Sequence, residues 1–225
     1  MSPMSDANIQ QLLQVLSVAL IPGLLAITLH EVSHGWVAKQ LGDPTAYMLG
    51  RLTVNPLKHV DPLGTVVVPI AMLLLSGGTM AFGWAKPVPV AFRNLRHPKR
   101  DMVLVAAAGP ISNFLMAAVW AILAAALTFS GSDASVAQWL FNNCVFGMQI
   151  NVLLAVFNLL PVPPLDGGRV LAGLLPRAGS NALERVEPFG LIIVVVLMMS
   201  GLLWGIMGPL RNFFLKFYFN LAGLA

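Results

Sequence analysis

Residues 12–44, LLQVLSVALIPGLLAITLHEVSHGWVAKQLGDP, decide the fold. From Leu12 to Leu29 no side chain is charged, and the run approaches the ~20 apolar residues that a helix needs to cross a bilayer. Pro22-Gly23 should kink this helix, and Gly42-Asp43-Pro44 should stop it. The polar run His30-Glu31-Val32-Ser33-His34 therefore falls late in a membrane helix, where ionisable groups are costly and usually functional.

Three further stretches, 102–129, 139–160 and 189–210, pass the same test, so the first span is expected at 12–38 and the fold is an all-α polytopic membrane protein with four transmembrane helices. A fifth apolar stretch, 62–82, contains Pro69 and Gly77-Gly78 and runs into Phe82-Gly-Trp-Ala-Lys-Pro-Val-Pro-Val90, whose alternating prolines suit extended backbone. Composition agrees: 57% of the 225 residues are hydrophobic and 10% charged, against roughly 25% charged in an ordinary soluble domain. One domain, 1–225, is expected, since the polar connections are short and no repeat is evident. The N-terminus has no Lys or Arg before the first span, so a cleavable leader is not expected. Cys144, the one cysteine, rules out an internal disulfide and reads as a small buried hydrophobe. The net charge of +4 is spread over loops flanking apolar spans, which points to membrane orientation and away from nucleic acid. Gly201 and Gly205 form a GxxxG that suggests close packing within the chain, and the cationic and aromatic tail after 210 suits either an interfacial or a packed helix.

In HEVSH, two imidazoles at i and i+4 share a helix face and can bind one metal ion, with Glu31 beside the attacking water. His30, Glu31 and His34 are the only acidic or histidine side chains within the four spans. A buried hydrogen-bonded cluster or proton relay is the alternative for these three. A catalytic zinc normally takes three protein ligands, so another His, Asp or Glu must contribute. His59, Asp61, His97 and Asp101 lie in polar loops beside Lys58, Lys99 and Arg100, where a solvated or interfacial role is the default. Asp166 ends Asn158-Leu-Leu-Pro161-Val-Pro163-Pro164-Leu-Asp166-Gly167-Gly168, where three prolines unwind a membrane helix just as a polar group appears. Asp166 could equally cap a short helix, GGRVLAGLL; the need of HExxH for a further ligand favours metal binding.

HEVSH late in one membrane helix and NLLPVPPLDGG in a later one resemble the site-2 protease family of intramembrane zinc metalloproteases. Ala106–Phe114 (AAAGPISNF), GRLTVNPLKHVDPLGT and FGWAKPVPV resemble a compact bacterial branch without a PDZ domain, and the similarity covers about residues 24–175. The resemblance implies one Zn²⁺ per chain held by His30, His34 and Asp166, Glu31 as catalytic base, and Asn158 near the reacting carbonyl. It also implies a transmembrane-helix protein as substrate and a bacterial inner membrane as location. For Asn158 and Asn113 an interhelical hydrogen bond is an equally good account. A rival class, a transporter or metal-handling membrane protein with a buried His/Asp ion site, lacks a use for a base between the two histidines.

Topology can be tested against charge. HEVSH and the Pro-Asp break share zinc only if they meet at one membrane face. If 62–82 crossed once, they would lie at opposite faces and Lys plus Arg would divide eight against five. If the chain between 39 and 101 returns to the face it left, eleven gather on the side of the site and only Arg211 and Lys216 remain opposite. The positive-inside rule favours the return, so 62–92 is expected as a re-entrant hairpin or a helix with an extended return, with the site toward the cytoplasm. On that path FGWAKPVPV would line the substrate groove and offer it a strand edge.

Overall fold

The computed structural model describes residues 6–75, 83–131 and 134–224. Helix α1 (Asp6–Gln40) runs unbroken through Pro22 and is followed by one turn, α2 (Thr45–Met48). After a short wide helix at Pro62–Val67 comes α3 (Val68–Leu75), then the long α4 (Pro98–Ser130) and α5 (Ser135–Asn158). Helices α6 (Asp166–Leu174), α7 (Arg177–Val186), α8 (Gly190–Met199) and α9 (Leu202–Leu221) complete the chain, and no strand occurs among the described residues. Three of these helices, over Leu13–Gln40, Pro98–Ser130 and Ser135–Asn158, are long and apolar enough to cross a membrane, as expected for the first three spans.

The expected span at 189–210 takes a different form. It breaks at Gly201, whose φ of +75° is accessible to glycine without strain, and the helices on either side meet at an 81° bend. Counted as one broken span, the pair makes the fourth crossing. Among the described residues a Cβ added at Gly201 or Gly205 would meet nothing within 4 Å, so within them this GxxxG is a hinge and an open face, not a packing seam. The tail after 210 continues α9 and packs: Leu215, Tyr218 and Ala222 enter the main core, and the Tyr218 hydroxyl donates to the Phe114 carbonyl at 2.8 Å.

Small residues explain why α4 and α5 lie close. Ala117, Ala121 and Ala124 form one stripe on α4, wholly buried against Met148 and Val152 of α5. Gly147 seats the Trp120 ring, which a Cβ there would approach to 2.5 Å. Cys144 is buried in this same core, as expected for a small hydrophobe. On the outside, Leu13, Leu20, Leu115, Val119 and Phe129 are exposed, a surface that lipid tails cover at no cost and water would not.

The return of the chain after residue 62 is visible in its pairings. Residues 76–82, with Gly77-Gly78, lie outside the described residues. On their far side the Trp84 N–H donates to the Gly64 carbonyl at 3.0 Å, and the Thr65 hydroxyl donates to the Trp84 carbonyl at 2.9 Å. From Gly83 to Ala91 the backbone is non-helical, and it continues back along the end of α1: Lys86 N–H to the His59 carbonyl, Val88 N–H to the Glu31 carboxylate, and Arg96 N–H to the Leu41 carbonyl. The alternating prolines thus give the extended arm that their spacing predicts.

Asp43, expected only as part of a helix stop, pins this arm. Its side chain is fully buried and accepts from the Ala91 N–H at 2.7 Å, Asn94 Nδ2 at 3.1 Å, and the N–H and hydroxyl of Thr45. Burial opposes its ionisation, but the hydrogen bonds from Thr45, Asn94 and Ala91 outweigh it and hold the carboxyl below its ordinary value. A depressed carboxylate stabilises fully above the unfolded pKa of ~4, and that contribution is lost as pH falls through the folded value. Asp43→Ala should cost roughly 2–4 kcal/mol, since several donors lose a charged partner. The check is thermal unfolding in detergent: a lowered Tm at pH 7, and a smaller loss of Tm than wild type on acidification below pH ~4.

Candidate metal centre

His30 and His34 stand one turn apart on α1, and the chain break after α5 brings Asp166, the first residue of α6, against them. Asp166 Oδ2 is 3.2 Å from His30 Nε2 and 3.3 Å from His34 Nε2, and the two Nε2 atoms are 3.1 Å apart. All three side chains are buried. The capping alternative for Asp166 does not hold, because Leu165 is the N-cap of α6 and no side chain caps that helix.

The hydrogen-bond partners decide where the protons are. His34 Nδ1 faces the Val105 carbonyl at 2.7 Å, an acceptor only, so Nδ1 must donate and Nε2 carries a lone pair in the neutral ring. For His30 the argument runs through three helices. Asn151 Nδ2 donates to the Gly147 carbonyl, which leaves its Oδ1 to accept from Asn113 Nδ2 at 2.9 Å. Asn113 Nδ2 also donates to the Ala26 carbonyl, so Asn113 Oδ1 must be the atom 2.6 Å from His30 Nδ1. His30 therefore also donates from Nδ1 and presents a lone pair at Nε2. With both rings neutral, two imidazole lone pairs and a carboxylate oxygen converge with no proton among them, and Asp166 Oδ2 has no hydrogen-bond partner among the described residues. Such a buried trio is repulsive without a cation, and two nitrogens with one oxygen suit zinc.

Glycines make the room. A Cβ on Gly109 would lie 2.5 Å from His34 Nε2 and 2.6 Å from His30 Nε2, so the AGP turn of α4 forms the floor of the centre. Gly168 would meet the Pro163 nitrogen at 2.5 Å, which is why DGG can fold α6 back over the proline segment. Gly109→Ala should lower zinc affinity about 100-fold, the scale of a lost supporting contact. Zinc competition checks this, with Gly205→Ala, whose added methyl meets nothing, expected to match wild type.

A cavity of about 680 Å³ opens beside the trio, and Glu31, Asn158, His59 and Val88 are among its walls. Glu31 Oε2 accepts the Val88 N–H at 2.7 Å, a charge-assisted bond that ties the extended arm to α1. Asn158 Nδ2 donates to the Leu154 carbonyl one turn back, leaving a second amide hydrogen for another acceptor. The arm turns the N–H groups of Trp84, Lys86 and Val88 inward to Gly64, His59 and Glu31. Alternation places 85, 87 and 89 on its other edge, and Pro87 and Pro89 have no N–H. The expected strand edge is thus poor in donors.

The other loop candidates have structural roles. Asp61 caps Pro62–Val67 through the Leu63 and Gly64 N–H groups, and Asp101 accepts the His97 N–H at the start of α4. His59 is not solvated, as its loop position suggests, but buried. Asn151 and the Val105 carbonyl lie outside the motifs, and the role of Gly109 within AAAGPISNF is not readable there, because a backbone acceptor, a missing methyl and an ordinary amide leave no mark of what they meet in the fold.

Known proteins that resemble the chain are named as zinc metalloproteases. The model of Peptidase family M50 matches residues 126–201, which include Asp166 and the proline break. The chain is 35% identical over 212 residues to "Putative zinc metalloprotease YwhC" of Bacillus subtilis (strain 168), covering 92% of this chain and 93% of that protein. It is 31% identical over 177 residues to "Putative zinc metalloprotease Rip2" of Mycolicibacterium smegmatis, covering 79% of this chain and 64% of that one. A shorter match, 43% over 67 residues, is to "Putative zinc metalloprotease MJ0611" of Methanocaldococcus jannaschii, covering 30% and 31%. No solved structure matches the chain.

Proposed function

The chain belongs to peptidase family M50, the site-2 protease family of zinc metalloproteases, and from that premise we propose that it cleaves transmembrane helices of protein substrates near the cytoplasmic face, using His30, His34 and Asp166 as zinc ligands. The observation that carries the residue assignment is the unpartnered Asp166 Oδ2 facing two fixed imidazole lone pairs. Zinc bound there supplies the Lewis acidity that makes water nucleophilic near neutral pH and polarises a carbonyl.

The remaining steps belong to side chains of the cavity. Glu31, one residue from His30 and anchored through one oxygen to Val88, takes the proton of the attacking water and delivers it to the leaving amine. Asn158 offers its second amide hydrogen to the scissile carbonyl, where charge develops. A substrate helix must unwind to enter, because its peptide bonds are already internally hydrogen-bonded. The donor-poor arm fits an unwound segment that donates its own N–H groups.

Orientation follows from charge: the segments between the long apolar helices at the metal end, which include 41–61, 83–100 and 167–187, hold most of the Lys and Arg, so that end faces the cytoplasm of a bacterial inner membrane. The test is cleavage of single-span peptides in proteoliposomes, with a Gly-Pro pair placed near the basic flank, at mid-span or near the opposite flank. Zinc-dependent cleavage confined to the first supports the proposal; cleavage of soluble loops alone, or at the opposite flank, contradicts it.

A further inference from the structure

Four cations, Arg93, Arg96, Lys99 and Arg100, crowd the short segment where the chain enters α4. Lys99 is spent, because its ammonium donates to the Leu175 carbonyl just past α6. Arg93, Arg96 and Arg100 are exposed, and among the described residues their guanidinium groups make no hydrogen bond or ion pair. Asp101, the carboxylate next to Arg100, does not neutralise them: it is buried and accepts the His97 N–H at 2.9 Å.

The depth of this cluster follows from the helix. No charged side chain occurs from Met102 to Gly131, so the apolar part of α4 starts directly after it. At about 100° per residue, Arg100, Leu104, Ile111, Leu115 and Ile122 fall within about 60° on one helix face. All five are exposed. At ~1.5 Å per residue Arg100 stands about 6 Å beyond Leu104, while the headgroup layer on each side of the hydrocarbon core is roughly 5–8 Å thick. A stripe that lipid tails cover thus ends in a guanidinium at the depth of the lipid phosphate.

We infer that Arg93, Arg96 and Arg100 form a binding site for an anionic phospholipid, its headgroup held by the guanidinium groups and its acyl chains lying along α4 from Leu104 toward Ile122. Cations clustered just outside a membrane helix attract anionic headgroups, and the guanidinium fork matches phosphate oxygens. Free phosphate shares that charge but has nothing to lay on the apolar stripe. The segment is also joined to the rest of the fold. Phe92 and Leu95 pack with Ala38 and Val105, and the Arg96 N–H donates to the Leu41 carbonyl at 3.0 Å. A bound lipid therefore braces the connection between the extended arm and α4. This inference requires only that the chain spans a membrane, and it stands apart from the peptidase reading.

The test compares two triple variants of equal charge at the same end of the protein. Arg93→Gln/Arg96→Gln/Arg100→Gln removes the site; Lys58→Gln/Lys86→Gln/Arg185→Gln removes three exposed cations elsewhere. Purified protein in detergent is titrated with phosphatidylglycerol or phosphatidylcholine, and bound lipid is read by native mass spectrometry and by the rise in Tm. Wild type should prefer phosphatidylglycerol, and excess inorganic phosphate should not displace it. Each arginine is worth about fivefold in affinity, so the site variant should bind about 100-fold more weakly. The control variant should stay within about twofold of wild type, because distant surface charges are screened. Arg93→Lys/Arg96→Lys/Arg100→Lys keeps the charge and should keep most of the binding. Equal losses in the two Gln variants would make the effect one of general surface charge and overturn the site. It would also be overturned by equal affinity for phosphatidylcholine, or by displacement with inorganic phosphate alone.

Discussion

Glu31→Gln is expected to lower kcat by about 10³-fold, within the range for loss of a general base, while the purified protein keeps its zinc. The substitution is nearly isosteric, and its side-chain carbonyl can still accept the Val88 N–H that the carboxylate accepts at 2.7 Å. Arm, cavity and metal ligands should therefore stay in place, and the loss falls on proton transfer alone. Parallel zinc analysis and single-turnover cleavage of a membrane-spanning peptide check it. Loss of zinc together with activity would instead make Glu31 part of the metal shell.

Asp166→Ala is expected to do the opposite: bound zinc falls from about one per chain to about a tenth or less, and cleavage disappears with it. Among the described residues Asp166 supplies the one carboxylate that meets the two imidazoles, and two neutral histidines make too weak a site. Asp166→Asn should lose zinc as well but fold more stably than the alanine variant, because its amide hydrogens can satisfy the lone pairs at His30 and His34 Nε2. Metal analysis with thermal unfolding in detergent distinguishes the two. Full zinc occupancy in Asp166→Ala would move the third ligand elsewhere.

The parts of this account that sequence made legible are those with a chemical or periodic mark. HEVSH declares its own geometry, since i and i+4 on a helix face each other, and a proline-broken span ending in an aspartate marks the second half of the site. The return of the chain after residue 62 follows from charge balance, and the pairing of Trp84 with Gly64 agrees with it. Support for the site is harder to read. Asn113 and Asn151 are ordinary membrane asparagines until three helices align them into a chain that sets the His30 tautomer. Gly109 and Asp43 matter for what approaches them, and approach is a tertiary property. The 189–210 stretch is uniformly apolar, so its period gives no warning that Gly201 takes a left-handed conformation and splits it. For the same reason GxxxG there looks like a packing motif although, among the described residues, a Cβ on either glycine would meet nothing within 4 Å.

The central claim is a zinc ion held by two imidazoles and a carboxylate inside a membrane helix bundle, and zinc-edge X-ray absorption of the purified wild-type protein tests it most directly. The account predicts one zinc per chain with a shell of nitrogen and oxygen atoms at ~2.0–2.2 Å, an imidazole pattern corresponding to two rings, and no sulfur. Substoichiometric zinc, or a sulfur scatterer that only Cys144 or a methionine could provide, would contradict it.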